Sequence, residues 1–189
     1  TRIVRDCAFE DIYYEHCSYF TAGSLSRLFE SLGFEVVNTE FTYGEQYLTV
    51  EARPARQRGN ATSRTQADMD ELTRLVAAFP ARFAERTAEW SQRLGDWKAR
   101  DLNVVIWGSG SKGVSFLTTL PHTDVVSHAV DINPYRRGYH MAGTGQPIVS
   151  PDELPALKPD VVIVMNRVYV PEIRGTLGSL GLDPEIHAL

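Results

Sequence analysis

The sequence has only two cysteines, Cys7 and Cys17, in 189 residues. Neither has a partner at C-x-x-C spacing, and two thiols alone cannot build a zinc site. They read as reduced thiols of a cytoplasmic protein. No apolar run approaches the ~20 residues that cross a bilayer and no signal-peptide pattern is visible, so a membrane is not an expected partner. Positive charge is in deficit: 19 Lys and Arg stand against 24 Asp and Glu, a formal net charge of −5. That balance argues against a general nucleic-acid binder, which carries a basic patch. The chain also begins Thr-Arg-Ile-Val rather than with methionine, which predicts a piece of something longer. What remains is an ordinary folded composition, 43% hydrophobic and 23% charged, with length for one ordinary domain or two small ones.

The stretch 102–117 organises the rest. Leu102-Asn-Val-Val-Ile-Trp107 is an apolar run, and Gly108, Gly110 and Gly113 follow it at the spacing G-x-G-x-x-G. A buried strand, a glycine turn and a helix opening are expected, with the helix at 114–120. The glycines permit a tight turn and close backbone approach, while the helix N-terminus offers N–H groups to an anion. The bland alternative is a glycine-rich turn that binds nothing. Residues 125–130 read as a second strand ending in Asp131, where such folds often place a ribose-binding acid.

Upstream, residues 11–20 pack aromatics, an acid and a histidine into ten positions. Leu25, Leu28, Phe29 and Leu32 then recur at helical spacing, with Ser24 as the expected N-cap and Gly33 as the stop. Residues 34–41 and 46–52 read as two strands of a hairpin around Gly44. A helix and two strands bury too little to stand alone, so this part reads as the end of a larger sheet. Residues 53–64 carry Arg, Pro and Gly without an acid, as a linker does; Arg56 and Arg58 read as solvated rather than as a phosphate clamp. From 66 to 98, Met69, Leu72, Val76, Phe79, Phe83, Trp90, Leu94 and Trp97 keep steps of three and four. One long helix, or two meeting at Pro80, is expected. It reads as a connector rather than a coiled-coil seam, because complementary flanking charges are not evident.

Strand and helix signals alternate through the last half, with a buried run at 160–165, a helix to about residue 180 and an edge strand near 185–189. The expected fold is therefore α/β, a small Rossmann-like parallel sheet with flanking helices. Ligands of such sheets sit beyond the carboxyl ends of the strands. Gly108, Gly110, Lys112, Asp131, Asn133, Asn166, Tyr169 and Glu172 all fall at that edge. Singly each has a plain structural use: Asp131 and Asn133 capping a turn, Asn166 capping a helix, Lys112 as a surface cation.

Taken in order, Tyr13-x-Glu15-His16, Ser18-Tyr19-Phe20, Gly33-Phe34, Trp107-Gly-Ser-Gly-Ser-Lys-Gly113, Asp131-Ile-Asn-Pro134 with Gly138, and Asn166-x-x-Tyr169-x-x-Glu172-Ile173 resemble the SAM-dependent C-methyltransferases of nucleotide-linked keto-deoxysugars. The resemblance implies residues 1–53 as the end of a methyltransferase domain of class I, 54–98 as linker and helical connector, and 99–189 as a Rossmann-like C-terminal domain. It implies SAM and a nucleotide-diphosphate sugar as ligands of the intact protein, and zinc in a part not included in this chain. The family's cysteine cluster and SAM loop are not in this sequence, so the chain alone is expected to be inactive. Deprotonating a carbon beside a ketone needs a base that titrates near neutrality, as histidine does. By resemblance His16 is that base, Tyr13 donates to the enolate oxygen, and Glu15 orients the imidazole or binds substrate. The same resemblance turns the 108–113 edge into a wall holding sugar or diphosphate. The alternatives are an NAD(P)-binding oxidoreductase or nucleotide sensor, and an interaction module dimerising through residues 66–98. The sequence sets no oligomeric state.

Overall fold

The computed structural model describes residues 1–55 and 66–189. Arg56 and Arg58, with most of the expected linker, lie outside the described residues. By its contacts the chain divides into two compact units, Thr1–Cys7 with Tyr14–Arg82, and Ala8–Tyr13 with Phe83–Leu189.

The first unit holds helix α1 (Arg2–Asp6), helix α2 (Ala22–Ser31) and an antiparallel hairpin of β1 (Phe34–Thr42) and β2 (Tyr47–Pro54). The cap of α2 is Thr21, three residues before the expected Ser24. Thr21 Oγ1 accepts the Ser24 N–H at 3.1 Å while Ser24 Oγ accepts the Thr21 N–H at 2.9 Å. Ser24 is thus the third helical residue, completing a reciprocal capping box rather than starting the helix. Gly33 ends it at φ +88, with its N–H on the Glu30 carbonyl. None of the residues of α2, β1 or β2 is buried, and Phe34, Val37, Phe41, Tyr47, Leu28 and Leu32 are all exposed.

Helix α3 (Gln66–Ala99) runs unbroken through Pro80, so the single-helix expectation holds over the two-helix one. Its apolar stripe departs from the expected one at Val76, which is 53% exposed; Leu75 is half-buried in its place. Leu72, Leu75, Phe79 and Phe83 keep steps of three and four, which holds them on one face of the helix.

The second unit is built on a parallel sheet in the order β5-β4-β3-β6-β7, with β3 (Val104–Trp107), β4 (Val126–Val130), β5 (Ile148–Val149), β6 (Val161–Val164) and β7 (Glu185–Ala188). Both faces are covered, which is why β3 and β6 read as continuous apolar runs. On one face Val104, Ile106, Val161 and Ile163 pack with Trp90, Leu94 and Trp97 of α3 and with Phe116 and Leu117 of helix α4 (Ser111–Thr119). On the other, Val105, Trp107, Val162 and Val164 pack with Leu154 of α5 (Leu154–Leu157) and with Ile173 and Leu177 of α6 (Val170–Ser179). The sheet is therefore Rossmann-like, as the strand and helix alternation predicts. Helix α4 starts at Ser111, earlier than expected, which puts Lys112 in its first turn. No helix among the described residues is long and apolar enough to cross a membrane.

Candidate functional site

Strand β3 has β4 on one side and β6 on the other, so the connections leaving β3 and β6 diverge to opposite faces of the sheet. Such a divergence leaves a crevice beyond the carboxyl ends, and the glycine turn lies there. Gly108 has φ +119, and a side chain on it would meet Met165 Cβ at 3.1 Å. A Cβ on Gly113 would stand 2.5 Å from the Gly108 carbonyl oxygen, so the third glycine lets α4 close onto the turn. Gly110 caps α4 in an extended conformation without a side-chain bond.

Asp131, expected to face a ribose, reaches back into the turn instead. Its Oδ2 accepts the Ser109 N–H at 3.1 Å and also takes the Ser109 hydroxyl. Its Oδ1 accepts the Asn133 N–H at 2.9 Å, and Asn133 Oδ1 in turn accepts the Tyr135 N–H at 3.0 Å. Burial pushes the Asp131 carboxyl up, but the bonds from Ser109 and Asn133 and the nearby Arg136 guanidinium outweigh it and hold the group below its ordinary range. Arg136 Nη1 donates to Ser109 Oγ at 3.2 Å and lies 3.4 Å from Asp131 Oδ2. The same atom stands 3.4 Å from where a Gly110 side chain would project. Arg136 thus sets a guanidinium beside the N-terminus of α4, the edge at which the sequence predicts Lys112 as the ligand-binding cation. The signal that would have found it is its position five residues after Asp131, in the loop that returns over the turn.

Lys112 turns elsewhere: its Nζ lies 3.1 Å from Asp11 Oδ1, with the two side chains 22% and 7% exposed. At the end of β6, Asn166 Oδ1 accepts the Val168 N–H at 3.2 Å and caps the turn that leads into α6. Tyr169 is 44% exposed, and Glu172 is an exposed acid in the first turn of α6. The structure thus brings Gly108, Gly110, Asp131, Asn133 and Arg136 into one cluster, and sets Asn166, Tyr169 and Glu172 on the neighbouring connection.

Of the expected acid–base residues, Tyr13 is half-buried and closes the short segment Ala8–Tyr13 of the second unit. Glu15 and His16 are exposed residues of the first unit, and the His16 ring meets Tyr19 edge-on at 5.8 Å between centroids. A cavity of about 460 Å³ in the first unit sets Arg2, Arg5 and Arg27 against Glu45, Asp68 and Glu71. Among the described residues no group of three or more His, Cys, Asp or Glu side chains stands together as a metal cage.

The model of one protein family, the C-methyltransferase C-terminal domain, matches residues 51–180. The chain belongs to this family. The C-methyltransferase NovU of Streptomyces niveus is 29% identical over 181 residues, which are 90% of this chain and 43% of that relative. This C-methyltransferase C-terminal domain chain therefore spans less than half the length of the curated relative it matches. Among solved structures, a Rex-family repressor aligns with 47% of this chain and 52% of its own, at 14% identity and a TM-score of 0.37. Asp131, which stands where such a fold meets the ribose of a nucleoside cofactor, already accepts from the Ser109 N–H and hydroxyl and from the Asn133 N–H.

Proposed function

We propose that the chain is the substrate-side part of a SAM-dependent C-methyltransferase acting on a nucleotide-linked keto-deoxysugar. The observation that carries this reading is the family match over residues 51–180, joined to the order of Tyr13, Glu15 and His16 upstream of it. On this reading residues 1–53 close the methyltransferase domain, and the wholly unburied α2, β1 and β2 support that, since a larger sheet would cover their apolar side chains. The methyl donor is held by the remainder of the longer protein, and this chain alone is inactive.

His16 takes the proton from the carbon beside the ketone. The C–H electron pair moves onto the carbonyl oxygen as an enolate, and the Tyr13 hydroxyl donates to that oxygen. Glu15 orients the imidazole or meets the sugar. At the other site, the N–H groups of the first turn of α4 and the half-exposed Arg136 guanidinium receive the diphosphate. Lys112 stays out of that contact because Asp11 holds its ammonium.

The test is His16→Ala in the longer protein, with methyl transfer and calorimetric binding of the nucleotide-sugar measured side by side. General-base loss is expected to lower the rate by about 10²–10⁴-fold while binding stays within roughly twofold. A wild-type rate would remove His16 as the base.

A further inference from the structure

The segment Ala8–Tyr13 is separated in sequence from the rest of its unit, which resumes at Phe83. The chain enters the segment from Cys7, in a left-handed conformation at φ 52, and folds into a single 3-10 turn, Phe9–Asp11. All three side chains of that turn, Phe9, Glu10 and Asp11, are buried. Phe9 is 3% exposed, sits in the core under α4 and meets Phe83 edge-on at 5.7 Å. Asp11 meets Lys112 on the first turn of α4. The apolar contact holds the segment to the unit, and the nearly buried ion pair adds a second fixed point on α4, whose strength depends on both charges staying in place.

Tyr13 ends this segment, two residues past Asp11, and the chain passes directly from it to Glu15 and His16. Resting on the reading of Tyr13 and His16 given above, we infer that Lys112 and Asp11 are positioning residues, and that their ion pair fixes the Tyr13 segment on the helix of the glycine turn. Lys112 touches no reacting atom. Its effect on the reaction runs through Asp11 and the backbone of 11–13, so it governs turnover and not substrate affinity.

The test compares Lys112→Met, Lys112→Arg, Asp11→Asn and the double variant Asp11→Asn/Lys112→Met in the longer protein, with His16→Ala beside them. Hydrogen exchange read by mass spectrometry on residues 8–13 is expected to speed up in Lys112→Met and not in Lys112→Arg. Small displacements of reacting groups cost up to about a hundredfold in rate, so kcat is expected to fall about tenfold or more with KM for the nucleotide-sugar unchanged. The double variant is expected to lose no more than either single one, because the two residues act through one contact. Unchanged exchange over 8–13 overturns the anchor. A raised KM with kcat intact overturns positioning in favour of direct phosphate contact. Slow Lys112→Met with His16→Ala at the wild-type rate would keep the anchor and remove the base assignment. Should Lys112→Met fail to fold, Asp11→Asn, which keeps the side chain's shape and removes its charge, carries the same measurements.

Discussion

Asp131 occupies the end of β4, where a dinucleotide fold would use a carboxylate on a ribose, yet every bond it makes is to its own loop and the glycine turn. The side chain left facing outward beside the turn is Arg136, whose guanidinium is joined to Ser109 and Asp131 through one nitrogen. Arg136→Ala is expected to weaken binding of the nucleotide-sugar about tenfold, the worth of one charged hydrogen bond, and Arg136→Lys to recover part of it; isothermal titration of the longer protein measures both. Glu10 gives a second prediction. Its burial pushes its carboxyl above the ordinary range and Asp11 adds to that, while its own backbone N–H, Lys112 and Arg86 oppose it. A folded state that holds the proton more tightly than the unfolded chain loses stability as pH rises through and above 4.5. Glu10→Gln is therefore expected to raise Tm at pH 7, with the gain shrinking as pH falls toward 4.5 and gone below it, as thermal melts across that range would record.

At the scale of elements, α3 keeps a proline in its interior. Proline removes one backbone bond and crowds the preceding turn, yet the helix continues on both sides of Pro80, which is itself exposed. Burial of Trp90, Leu94 and Trp97 farther along offsets that cost. Pro80→Ala is expected to stabilise the chain by about 1–3 kcal/mol in denaturant unfolding, because the bond and the intrinsic helix preference are both regained. The periodicity of 66–98 was legible as a helix, but whether it breaks at Pro80, and whether Leu75 or Val76 faces inward, were not. Both depend on which neighbours the stripe meets, which local spacing does not encode.

For the whole molecule, the two units differ in how much they bury. The sheet unit has apolar cores on both faces, whereas α2, β1 and β2 have no buried residue. Local opening follows burial, so amides of β1 and β2 are expected to exchange orders of magnitude faster than those of β3 and β6. Hydrogen exchange of the chain alone measures this, and equal protection in both sheets would contradict it. The same experiment on the longer protein is expected to slow the hairpin, if a methyltransferase sheet covers it as proposed.

The sequence by itself determined the alternation of strand and helix, the glycine turn at 108–113, the hairpin and the family. Each is written in spacing, in turn chemistry, or in an ordered set of motifs, all of which are local or additive along the chain. Tertiary structure alone decided which side chains at the sheet edge meet partners from distant parts of the chain. Asp131 and Lys112 carry the right chemistry at the right sequence positions for a ligand, but Ser109 and Asp11 reach them from other segments, while Asn133 and Arg136 meet Asp131 from its own loop. A charge 101 positions away in sequence (112 − 11) leaves no trace in any local pattern. Only folding brings Asp11 to the first turn of α4, and with it the segment that ends at Tyr13.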